Sequence, residues 1–105
     1  MLYNKEKEVN LLALYEAVET IKENLYIELY EGDIVIGKFI TWYETDNDLD
    51  EDDSKYEEYN AGAIQIIQIV KRVTRIHDMT KLYEVTYKNI PKVIKKMDGS
   101  TIFQN

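Results

Sequence analysis

Apolar residues between Asn4 and Asn24 recur with helical spacing. Leu11, Leu14, Tyr15, Val18, Ile21 and Leu25 form one stripe, while Glu6, Glu8, Glu16, Glu19 and Glu23 lie off it. The spacing predicts an amphipathic helix over 4–24 that packs its stripe on a sheet. Asn4 suits the N-cap, Glu6 and Glu8 complement the positive helix end, and Asn24 tolerates the left-handed conformation that stops a helix. Leu12, outside the stripe, is the one helical position that speaks for a partner instead.

From Leu25 the period changes to two. Leu25, Ile27 and Leu29 alternate with Tyr26, Glu28 and Tyr30, which predicts a half-buried strand. Glu31-Gly32-Asp33 is turn chemistry, and Ile34 to Glu44 resumes as the second arm of a hairpin. Gly37 inside that strand marks a bend or bulge. Gly62 to Arg75 fits either period, but its β-branched residues favour a strand, bulged near Ile66-Ile67. A turn at His77-Asp78 leads into Lys81 to Lys88, where Tyr83, Val85 and Tyr87 share a face. Pro91 cannot donate to a ladder and breaks the strand. Lys92 to Met97 is a fifth strand, and Asp98-Gly99 can turn a last hairpin into Ser100 to Phe103.

These elements predict one domain over 1–105: a helix over 4–24, then a small five-stranded barrel over 25–103 with an acidic insertion at 44–60 between strands 2 and 3. The pattern resembles the Sm/SH3-like small β-barrels, on the strength of the Gly37 bend and of Leu82 to Ile94, LYEVTYKNIPKVI. It is also similar to the YolD-like family, which joins an N-terminal helical part to such strands. The resemblance covers Leu25 to Met97 and brings no catalytic residues with it. It implies a fold, and for the YolD-like case an association with DNA-repair polymerases.

Composition narrows the function classes. The chain is 45% hydrophobic and 31% charged, which suits a globular domain. With no cysteine, thiolate metal sites, thiol nucleophiles and disulfides are excluded. The opening MLYNKEKEVNLL lacks the basic-then-apolar order of a signal peptide, and no apolar run reaches membrane-spanning length. A cytoplasmic protein with no membrane role is expected. The abundance of Ile, Lys, Asn and Tyr beside only two Arg fits the AT-rich coding of a bacterium or phage.

Charge is unevenly placed. Tyr43 to Tyr59 carries nine carboxylates and one lysine, a net of −8 in a chain of net −7. The acidity is therefore one insertion on a nearly neutral body. Blocks of like charge stay extended and serve as interaction segments. Asp50, Asp52, Asp53, Tyr56, Glu57 and Tyr59 are accordingly candidates for contact with a protein partner. Asp46, Asp48, Asp50 and Glu57 fall at positions 1, 3, 5 and 12 of an EF-hand-type count. That calcium candidate fails at its turn and packing positions, where Glu51 replaces glycine and Asp53 replaces an apolar residue. No metal and no cofactor is expected.

The downstream half is basic. Lys71, Arg72, Arg75, Lys88, Lys92, Lys95 and Lys96 would meet phosphates if they shared a face, with Tyr83 or Tyr87 to stack. Lysines also protect strand edges from pairing, and a second reading has the acidic loop fold back onto this half and screen it. Enzyme signatures are lacking: His77 is the only histidine, there is no glycine-rich phosphate loop, and Ser54 and Ser100 have no nucleophile context. The sequence thus predicts a non-catalytic interaction or regulatory module that binds a protein. The alternative is a nucleic-acid role, by direct binding through the basic half or by interference of the acidic loop with a DNA-acting enzyme. Self-association stays open.

Overall fold

In the computed structural model, which describes residues 7–73 and 82–105, one helix precedes an antiparallel sheet. Helix α1 spans Val9–Val18, and the strands are β1 Leu25–Glu28, β2 Ile34–Asp46, β3 Glu58–Lys71, β4 Leu82–Val85, β5 Val93–Lys96 and β6 Thr101–Gln104. Their order across the sheet is β4-β3-β2-β1-β5-β6. The mainly β class with an N-terminal helix is as expected; the closed five-stranded barrel is not. The Asp98-Gly99 turn adds β6 to the outer edge of β5, so that edge is taken and cannot meet β4. Among the described residues the sheet has six strands and stays open.

The helix is shorter than its sequence pattern. Leu11, Leu14 and Val18 are buried as the stripe requires. After Val18 the chain tightens, with the Ile21 amide donating to the Val18 carbonyl at 3.0 Å, and turns back to start β1. The Asn4 and Glu6 positions lie outside the described residues. A helix of 10 residues is marginal in isolation, so its packed face holds it in place. Each fully buried Leu or Val contributes roughly 1.5–3 kcal/mol, more than the propensity differences along the helix.

The helix and one sheet face enclose the core. Leu25 and Ile27 on β1, Val35 and Phe39 on β2, Ile64 on β3, Tyr83 and Val85 on β4, and Ile94 on β5 meet Leu11, Leu14 and Val18 there. The register explains the match, since Ile27 lies opposite both Val35 and Ile94, and Ile64 opposite both Phe39 and Tyr83.

Strands β2 and β3 dominate the sheet, at 13 and 14 residues. Their pairing skips Val70 and Ile67 on β3 and Ile40 on β2, each an extra residue at a register shift. Two of the sequence expectations are met here: a bulge beside Ile66-Ile67, and a break at Gly37. A β-carbon on Gly37 would fall 2.6 Å from the Gln65 carbonyl oxygen, so the close approach at that bulge requires glycine. Beyond the bulges the ladder runs unbroken from Thr41–Ala63 to Asp46–Glu58. This extension is an arm, and it absorbs both ends of the expected 44–60 loop. Only 47–57 remains as the connecting tip.

Candidate functional site

The tip is organised by its own side chains. Asn47 closes it: its Nδ2 donates to the Lys55 carbonyl at 2.8 Å, its amide to the Glu57 carbonyl at 3.2 Å, and its Oδ1 accepts from the Glu57 amide at 3.2 Å. Asp46 Oδ1 accepts from the Asp48 amide at 2.8 Å, and Asp53 Oδ1 from the Lys55 amide at 2.8 Å. Asp48 sits at φ 64, a left-handed conformation that aspartate tolerates better than most residues. Two carboxylates therefore build the turn. Asp50, Glu51 and Asp52 are exposed, and among the described residues none of them makes an ion pair.

The base of the arm is held from three directions. Glu57 Oε2 takes Lys7 Nζ at 2.7 Å, and its Oε1 takes the hydroxyl of Tyr87 in the β4–β5 turn. The hydrogen bonds from Lys7 and then Tyr87 hold the Glu57 carboxyl below its ordinary value, with the charge of Lys88 adding to the effect. In return, the bond to Glu57 pushes the Tyr87 hydroxyl up to about 12. Tyr59 and Tyr87 meet edge to face at 5.8 Å between centroids. Lys88 Nζ lies over both rings, 5.1 Å from that of Tyr59 and 5.6 Å from that of Tyr87.

Nearer the body, Glu8 corrects the sequence reading. It was expected on the solvent side of the helix, yet it is 2% exposed and its side chain makes no capping bond to the helix. Its carboxylate instead crosses to β3, accepting from the Asn60 amide at 2.6 Å and from Asn60 Nδ2 at 3.0 Å. On the opposite face of the arm, Tyr43 donates to Glu84 on β4. It reaches over β3 where Ala61 and Ala63, both buried, leave room for its ring. Burial first, then the bond to Glu84, raises the Tyr43 hydroxyl far above its ordinary value.

The candidates from sequence are thus divided. Asp50, Asp52 and Asp53 share the tip, while Glu57 and Tyr59 form its base. Tyr56 donates to Glu58 at 2.8 Å and lines a cleft of about 210 Å³ with Glu44, Thr45, Asp46 and Glu58. The calcium set does not assemble: among the described residues no three His, Asp or Glu side chains gather as metal ligands. Asp46 and Glu57 are committed to Asp48, Lys7 and Tyr87 instead.

Among the described residues, Lys71, Lys88 and the Lys95-Lys96 pair lie in separate places. Lys71 pairs opposite Ile34 at the far end of β3, roughly 40 Å of extended strand from Tyr59, where Lys88 sits. Lys95 and Lys96 line a separate cleft of about 250 Å³ with Tyr26, Met97 and Gly99. Arg75 lies outside the described residues, as do the His77-Asp78 turn and Lys81. Within the basic half, the charge of Lys88 acts on Glu57 at the base of the loop, while the ion pair of Glu57 is with Lys7, outside that half. Lys7, Glu8 and Tyr87 are the residues that sequence reasoning did not set against the acidic segment, whereas Lys88 belongs to the basic half onto which the second reading folds the loop back. Only the shared face of Tyr83, Val85 and Tyr87 hinted at one of them.

The fold is thus an open sheet whose acidic arm is tied at its base through Glu57. The chain belongs to the family of the cognate immunity protein YxxD, whose family model matches residues 9–105. Membership of an immunity family implies a protein that antagonises a toxin by binding it. The YolD-like and Sm/SH3-like resemblances gain no support from this match. No curated protein and no solved structure matches the chain. Among the described residues no helix is long and apolar enough to cross a membrane.

Proposed function

We propose that this chain neutralises its toxin without catalysis, by docking the acidic arm on a basic surface of that toxin in the cytoplasm. Asp50, Asp52 and Asp53 are the contact charges of this reading, and Tyr56 extends the contact along the arm. The observation that carries it is the exposed run Asp50, Glu51 and Asp52, without ion pairs among the described residues, on an arm braced at its base by Glu57 and Glu8. Uncompensated carboxylates on a braced support steer a basic partner and lose little freedom on contact.

The test is affinity capture from cells of the species that encodes the chain, using tagged wild type and an Asp50→Asn/Asp52→Asn/Asp53→Asn variant. The wild type should recover a toxin identifiable by mass spectrometry, in a complex that weakens as salt is raised. The variant should keep its thermal midpoint and lose that toxin. Equal recovery by both would sink the assignment of the tip.

A further inference from the structure

We propose that Tyr59, Tyr87 and Glu57 form a cage for a cationic side chain, filled by Lys88 in the free protein and taken over by an arginine of the toxin in the complex. This rests on the reading of the acidic arm as the toxin-binding element, and it adds a specific receptor at the base of that arm.

The argument starts from the occupant. Lys88 Nζ lies 5.1 and 5.6 Å from two ring centroids, within the range where an aromatic quadrupole attracts a cation. The two rings stand at 81° to one another, forming two walls of a corner. Glu57 supplies the negative charge: its Oε2 holds Lys7 Nζ at 2.7 Å, and its Oε1 takes the Tyr87 hydroxyl, which fixes that wall. The Tyr59 hydroxyl donates to the Asp46 carbonyl at 3.1 Å, which fixes the other. Both rings are half-buried, whereas Lys88 is exposed. The walls are therefore rigid and their occupant is replaceable.

Replacement favours arginine. A lysine held over tyrosine at an exposed site gains little, because its ammonium stays strongly hydrated. A guanidinium is planar, more weakly hydrated, and stacks on a ring while donating to a carboxylate. A toxin surface attracted by Asp50 and Asp52 brings such groups to the adjacent cage.

The experiment uses the full chain and N-acetyl-arginine amide as probe, followed by the ring resonances of Tyr59 and Tyr87. Lys88→Ala clears the two rings while Lys7 stays on Glu57 Oε2, and the probe should then titrate these rings at a concentration about two- to fivefold lower than in wild type. Adding Tyr87→Leu to Lys88→Ala removes a wall at unchanged charge and should abolish the response. The neutral N-acetyl-citrulline amide should give none in any variant. Equal midpoints in wild type and Lys88→Ala, a response that survives Tyr87→Leu, or an equal response to citrulline would overturn the cage. The Asp50→Asn/Asp52→Asn/Asp53→Asn variant should retain the probe response. Loss of the arm reading would appear in toxin capture alone, and loss of the cage in this titration alone.

Discussion

The indole of Trp42 lies so close over Gly62, its cross-strand partner, that a β-carbon there would fall 2.7 Å from Cζ3 and 2.9 Å from Cη2. The ring has no easy retreat. Phe39 stacks on it at 5.3 Å, and Tyr15 of the helix meets it edge-on at 5.0 Å. One aromatic group thus ties helix, sheet and the root of the arm together. Gly62→Ala should cost about 1–3 kcal/mol through overpacking, read as a lower denaturation midpoint with altered tryptophan fluorescence. Wild-type stability in that variant would show that the indole moves freely.

Glu8 and Asn60 form the second tie between helix and arm. Glu8→Ala removes the acceptor of two hydrogen bonds at a buried site and should cost about 1–3 kcal/mol. Glu8→Gln should fall between the two, because an amide keeps one acceptor but turns a donor towards Asn60 Nδ2. Denaturant unfolding of the three proteins checks the order.

Glu57 and Tyr87 predict opposite limits of pH. The folded Glu57 carboxyl lies below its ordinary value of 4.5, so its stabilisation is present above that pH and fades as pH falls through the folded value. The stability gap between wild type and Glu57→Gln should therefore be steady near neutrality and close in acid. Tyr87 is raised from 10.0 to about 12, so its contribution is complete below pH 10 and disappears as pH rises through 12. Tyr56, bonded to Glu58, is also raised to about 12. Tyrosinate absorbance should show a late phase near that pH, and Tyr87→Phe should shrink it by one residue.

Asp48 tests the shape of the tip independently of its charge. Its left-handed backbone, at φ 64, penalises β-branched side chains. Asp48→Val should cost about 1–2 kcal/mol, while Asp48→Gly should be neutral or stabilising. Both remove one carboxylate, so a difference between them in thermal midpoint isolates the backbone.

Much of the fold was legible from period alone. The stripe Leu11, Leu14 and Val18, the alternation at Leu25 and Ile27, the break at Gly37 and the bulge beside Ile67 all follow from local spacing. Turns at Gly32 and Gly99, with φ 103 and 95, were written in residue type. The closed barrel does not form because closure needs β5 to meet β4, a long-range pairing that spacing does not encode, and the local Asp98-Gly99 hairpin gives that edge of β5 to β6 instead. The site was legible in its charge but not in its bracing. Glu8 reaches Asn60 across 52 residues and Lys7 reaches Glu57 across 50, and no periodic signal links such positions.

The unbroken ladder between Thr41–Ala63 and Asp46–Glu58 separates two kinds of change. All three bulges lie on the body side of it, where they pin the register. Residues added or removed two at a time in each strand beyond Thr41 would keep every side chain on its own face while altering the reach of the tip. The end of the arm can thus change in length and sequence while the packing around Trp42 stays fixed. In such a protein the toxin it answers to and the fold it relies on are free to evolve at different rates.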